Sequence, residues 1–68
     1  MSVADNIREI ISDYGYKQKS IAEKAGMSEK QFSDLLNGRK TFKAEYLPSI
    51  CIALNKSPND VLNYEKER

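Results

Sequence analysis

The chain is 68 residues long, 40% apolar and 31% charged, which is enough apolar material for one small core and too much for a disordered chain of this size. Eleven basic and ten acidic side chains leave a net charge of +1, so any surface for nucleic acid must come from local clustering and not from an overall basic excess. With no histidine and one cysteine, Cys51, a zinc finger, a histidine-dependent catalytic triad and an internal disulfide are excluded by count.

No segment alternates as a strand does; the apolar residues recur at helical spacing throughout. Val3, Ile7, Ile10, Ile11 and Tyr14 form one face of a first helix, with a capping box at Ser2 and Asp5 and a left-handed stop at Gly15. A second helix is predicted from about Gln18 to Ala25, with Ile21, Ala22 and Ala25 inward and Gly26 ending it. A third opens on the capping box Ser28 and Gln31, carries Phe32, Leu35 and Leu36 inward, and closes at Asn37-Gly38. Arg39 to Glu45 reads as a loop with room for one helical turn. The fourth helix starts near Tyr46 or Leu47, because Pro48 is tolerated only in a first turn. A fifth opens at Ser57-Pro58, with Val61, Leu62 and Tyr64 packing back, and a polar tail that frays is expected from about residue 65.

Helices this short are not stable alone and must share one core. The expected core is Val3, Ile7, Ile10, Ile11, Ile21, Ala22, Ala25, Phe32, Leu35, Leu36, Leu47, Ile50, Leu54, Val61 and Leu62. The expectation is therefore an all-α, compact five-helix single domain over residues 1–68, with no repeat and no linker. No apolar run approaches the ~18 residues of a membrane span. Charges every few residues from Met1 to Asp13 argue against a signal peptide, so the expected compartment is a reducing cytoplasm.

Charge is unevenly spread. Residues 1–16 carry a net −2 and residues 44–68 a net −1, whereas residues 17–43, with Lys17, Lys19, Lys24, Lys30, Arg39, Lys40 and Lys43, carry +4. The same middle stretch contains two short helices around Gly26, with small Ala22 allowing close approach and Met27 filling the angle. That is the geometry of a helix-turn-helix, whose second helix can lie in a major groove.

Gln18-x-x-Ile21-Ala22, Ala25-Gly26-Met27-Ser28 and Ser33-x-x-x-Asn37-Gly38-Arg39 resemble the phage repressor/Cro-like (Xre-type) helix-turn-helix family. Leu47-x-x-Ile50-x-x-Ala53-Leu54 and Ser57-Pro58-x-Asp60-x-Leu62 extend the resemblance from about Ile7 to Leu62. It implies a lambda-repressor-like fold that binds double-stranded operator DNA, usually as a symmetric dimer, and regulates transcription. Carried over by position, Gln18 braces a phosphate at the start of the second helix. Ser28, Glu29, Lys30 and Asp34 face base edges, and Asn37, Arg39, Lys40 and Lys43 clamp the backbone. No cofactor, metal, small-molecule ligand or membrane partner is implied.

The residues support parts of this directly. Lys17 stands where the second helix needs a cap and Lys19 lies in its first turn; both oppose the helix dipole, which suits an external anion, although solvent can also tolerate them. Gln31 joins this phosphate-facing set. Lys30 can donate to guanine and Glu29 or Asp34 can accept from cytosine; Lys30 and Asp34 can equally form a surface ion pair, and the two roles are compatible.

Three departures stand out. Two acids lie on the reading face. Ile11 and Leu36 are apolar where many relatives hold an arginine–glutamate pair, so they are expected to touch. Lys56 fills a slot where an apolar residue is usual. Phe42 is either ordinary packing or part of a dimer seam with Tyr46, Lys56, Pro58 and Asn59. Cys51 is expected to be a small buried residue, and the tyrosines to be packing or surface groups. Two functions stay open: a sequence-specific DNA-binding regulator, or an antitoxin or anti-repressor that uses the same fold to bind protein. An enzyme is not expected in a chain without histidine, metal cluster or phosphate-cradling loop.

Overall fold

A computed structural model describes residues 2–64. Among them, α-helices run over Val3–Asp13 (α1), Gln18–Lys24 (α2), Glu29–Leu36 (α3), Leu47–Leu54 (α4) and Pro58–Leu62 (α5), with a 3-10 turn at Ala44–Tyr46 and no strand. The polar tail from about residue 65 lies outside the described residues.

The helix boundaries follow from local chemistry. Ser2 Oγ accepts from the Asp5 amide at 3.1 Å while Asp5 Oδ2 accepts from the Ser2 amide at 3.4 Å. Ser28 and Gln31 repeat the reciprocal pair at 3.1 and 3.0 Å at the start of α3. Ser57 caps α5 by accepting from the Asp60 amide. Each pair satisfies amides that the helix geometry leaves without partners, and losing such a cap costs about 1 kcal/mol.

Four helices end alike. The amides of Tyr16, Met27, Arg39 and Lys56 donate back five residues to the carbonyls of Ile11, Ala22, Asp34 and Cys51, at 2.9–3.0 Å. Each closure needs one left-handed residue. Glycine supplies it after α1, α2 and α3; Asn55, at φ 57°, supplies it after α4.

The helices meet through α2, which packs on α3 and α4, while α1 packs on α3 and α5. Phe32, Ile7, Ile10, Ile21, Leu35, Ile50, Leu54 and Val61 are sealed from solvent, and each such burial contributes roughly 1.5–3 kcal/mol before entropy is counted. Cys51 is buried among them and its thiol is pushed up by desolvation. Ile11 lies half-buried against the cluster that contains Leu36, so the two departures share one core.

Some apolar positions are less buried than their helical spacing suggests, and of these Leu62, Val3 and Leu47 belong to the expected core. Leu62 is 48% exposed, not buried; α5 is a helix of five residues, and the side it turns to the core is the one that carries Val61. Tyr14 is 49% exposed, since it caps α1 and lies beyond its last regular turn. Val3 and Leu47 are only half-buried at the edge of the cluster.

One buried polar residue had no sequence signal. Asn6 is 4% exposed, and its Nδ2 donates to the carbonyls of Val61 at 2.9 Å and Leu62 at 3.2 Å. These are last-turn carbonyls that α5 cannot satisfy internally. Tyr64 adds a second tie by donating its hydroxyl to Asp13 Oδ2 at 2.7 Å, a bond that pushes the phenol up to about 12.

Replacing Asn6 with Ala leaves two carbonyls in the α1–α5 seam without this donor, so Asn6→Ala is expected to lower stability by about 1–3 kcal/mol in urea unfolding. For the Ile11 and Leu36 pair, a double-mutant cycle of the alanine substitutions should show coupling above about 0.5 kcal/mol; strict additivity would count against contact.

Candidate nucleic-acid interface

The turn between α2 and α3 occupies four residues. Ala22 is fully buried and Ile21 nearly so, which lets the helices approach closely. Gly26 takes φ +76°, a conformation that strains other residues, and the Met27 amide then bonds the Ala22 carbonyl at 2.9 Å. Met27 itself packs half-buried on the core. With Phe32, Leu35 and Leu36 inward, α3 is held from below and its opposite side faces solvent.

On that outward side Ser28, Glu29 and Lys30 are exposed. Ser28 Oγ and Gln31 Oε1 are already engaged in the capping box, so these two side chains also serve the helix. Lys30 Nζ lies 3.2 Å from Asp34 Oδ2, with the lysine side chain 85% exposed and the aspartate only 23%. Arg39 Nη1 approaches the other oxygen, Asp34 Oδ1, at 3.5 Å. The structure thus gathers Lys30, Asp34 and Arg39 into one cluster. The hydrogen bond from Lys30 holds the Asp34 carboxyl below its usual value of 3.8; partial burial opposes this and Arg39 reinforces it.

Arg39 was expected only as a backbone clamp; its pairing with Asp34 was not read from the sequence. The signal was present in the left-handed closure at Gly38, which bends the chain back so that the Arg39 amide bonds the Asp34 carbonyl at 2.9 Å.

The remaining candidates fall in several places. At the start of α2, Lys17 makes no side-chain cap bond, Gln18 is half-buried and Lys19 is exposed. After α3, Asn37 donates to Ser33 Oγ at 3.2 Å, while Lys40 and Lys43 are exposed. Lys40 Nζ stands 5.8 Å from the centre of the Tyr46 ring. Phe42 and Tyr46 meet edge to face at 6.4 Å and both pack half-buried on the core, which is the packing role considered for Phe42. Lys56 is engaged elsewhere: its Nζ donates to the Tyr14 hydroxyl at 2.5 Å. That contact gives a partner to a lysine in a slot where relatives hold an apolar residue, its ammonium 4.3 Å from the centre of the Tyr14 ring. Pro58 and Asn59 are exposed in the first turn of α5.

Two short helices at a tight turn, the second with an outward polar side, define a helix-turn-helix domain. The chain belongs to the Cro/C1-type helix-turn-helix DNA-binding domains, whose family model matches residues 6–67. Among solved structures it is similar to the clp gene regulator ClgR from C. glutamicum, with 34% identity and a TM-score of 0.80 over 87% of this chain and 77% of that one. The restriction-modification controller protein C.AhdI from Aeromonas hydrophila shares the fold, with a TM-score of 0.79, 17% identity, and 88% and 91% of the two chains covered. No curated protein sequence matches the chain. Among the described residues no helix is long and apolar enough to cross a membrane.

Because the folded Asp34 carboxyl is depressed, its contribution to stability is present above pH 3.8 and is lost as pH falls through the lower folded value. Carboxyl-carbon NMR should show Asp34 titrating below 3.8, and Lys30→Gln should move it upward. An unchanged midpoint would contradict the ion pair.

Proposed function

We propose that this protein is a sequence-specific regulator of transcription that binds double-stranded operator DNA through α3 in the major groove. The observation that carries the reading is the exposed polar side of α3, with Lys30 outward above a fully packed inner side, in a chain of the Cro/C1-type family. An α-helix fits the major groove of B-form DNA, and side chains near its N-terminus reach base edges.

In this reading Ser28, Glu29, Lys30 and Asp34 address the bases. Lys30 offers a donor to guanine O6 and N7, and Glu29 or Asp34 an acceptor to cytosine N4. Lys17, Gln18, Lys19, Gln31, Asn37, Arg39, Lys40 and Lys43 address phosphates and set the register. The protein acts in the cytoplasm as a homodimer, formed in solution or only on DNA. Its seam draws on exposed Pro58 and Asn59 and on the outer edges of Phe42, Tyr46 and Lys56, which also pack within the monomer. No cofactor or small-molecule ligand is needed. Catalysis forms no part of the reading. The name of ClgR, a gene regulator, supports regulation of transcription as the outcome of binding.

Acidic residues on α3, Glu29 and Asp34, repel phosphate and on their own favour a protein partner. Asp34 sits between Lys30 and Arg39, so its charge is largely offset, and that argument weakens.

In vitro selection from random duplexes should return a palindrome with half-sites about 10 base pairs apart, and affinity should fall with salt at about −0.9 per phosphate neutralised. Lys30→Ala should relax preference at one position per half-site and cost about 1–3 kcal/mol there. Lys43→Ala should weaken all duplexes alike and flatten the salt slope by about one. Equal affinity for every duplex, or capture of a stoichiometric protein partner with no DNA binding, would overturn the assignment.

A further inference from the structure

We propose that Asp34 serves as an internal substitute for DNA phosphate, holding Lys30 and Arg39 so that neither is free to grip duplexes of the wrong sequence. The inference rests on the DNA-binding reading above and adds a determinant of selectivity to it.

The geometry is specific. One carboxylate oxygen of Asp34 takes Lys30 at 3.2 Å and the other takes Arg39 at 3.5 Å. Both cations come from fixed positions. Lys30 lies one turn back on the same face of α3. Arg39 is delivered by the closure at Gly38, its own amide bonded to the Asp34 carbonyl. The anion is the sheltered member, at 23% exposure, while Lys30 and Arg39 are 85% and 68% exposed. Two outward cations are therefore restrained by an inner negative charge.

A phosphate that recruits Lys30 or Arg39 must compete with this carboxylate, and the competition is the same for every sequence. An exposed ion pair shifts an equilibrium by up to about fivefold, so two pairs suppress nonspecific binding by at most about twenty-five-fold. On the correct site the loss is recovered, because a base amine can donate to the carboxylate released from its cations. On a wrong site the carboxylate faces groups that give it no hydrogen bond, and it is desolvated without return. Asp34 thereby widens the gap between operator and random DNA, because its cost is left standing on random sequence and is offset on the operator.

Binding of the full chain to a random-sequence duplex and to the selected operator, across a salt series, tests the proposal. Asp34→Asn is expected to tighten binding to random duplex by about threefold to twentyfold. It should steepen the salt slope by about one to two, the release of one or two phosphate contacts, and narrow the ratio between operator and random DNA. Asp34→Ser provides an independent neutral variant with the same expectation, and Asp34→Glu should restore behaviour toward wild type. Glu23→Gln removes an equal charge from an exposed position on α2 and should produce less than half the change. If the wild type binds duplex but Asp34→Asn leaves affinity and slope unchanged, or Glu23→Gln matches its effect, the proposal fails and the DNA-binding reading stands. If neither protein binds any duplex at low salt, both fail.

Discussion

The bond from the Met27 amide to the Ala22 carbonyl, 2.9 Å long, closes α2 and sets where α3 begins. It exists because Gly26 occupies a left-handed conformation at little cost. Everything that faces outward on α3 is oriented from this corner. A helix of eight residues has no persistent direction of its own in water, so its placement comes from the corner and from the side chains it buries. Phe32 is the largest of these, fully buried, and the contacts of α2 with both α3 and α4 tie the corner to the rest of the core.

The far side of the molecule contributes by a different route. Segment α5 is too short to hold itself and is held by polar bonds: Asn6 Nδ2 donates to its last carbonyls, and the hydroxyl of Tyr64 donates to Asp13 at the end of α1. This seals Val61 over the core without recruiting residues from the 17–43 segment, where the positive charge is concentrated. Residues 17–43 thus combine outward charge with core residues such as Ile21, Ala22 and Phe32, while α5 is fastened by α1. Lys56 is bound to Tyr14 between the ends of α4 and α1.

Electrostatically, a chain of net charge +1 has two features that the overall value hides. Segregation puts a net +4 between residues 17 and 43. The second feature is local, the pairing of Asp34 with Lys30 and Arg39, which offsets two of the exposed cations.

Helix starts and stops were legible because they are decided within six residues of chain. Serine three residues before a residue whose side chain can answer it, and glycine where the backbone must turn left-handed, act before any tertiary contact forms. The apolar spacing named most of the core for the same reason, as did Pro48 the start of α4. Asn55 belongs to this local class too, but asparagine is a weaker signal than glycine. What the tertiary structure alone decided concerns residues whose partners are distant. Asn6 is buried because carbonyls 55 and 56 residues away need its donors. Tyr64 reaches Asp13 across 51 residues of chain for the same reason. Leu62 is exposed because a single-turn helix can turn only one apolar side to the core. Burial and long-range hydrogen bonding depend on which surfaces close over which, and no local pattern contains that information.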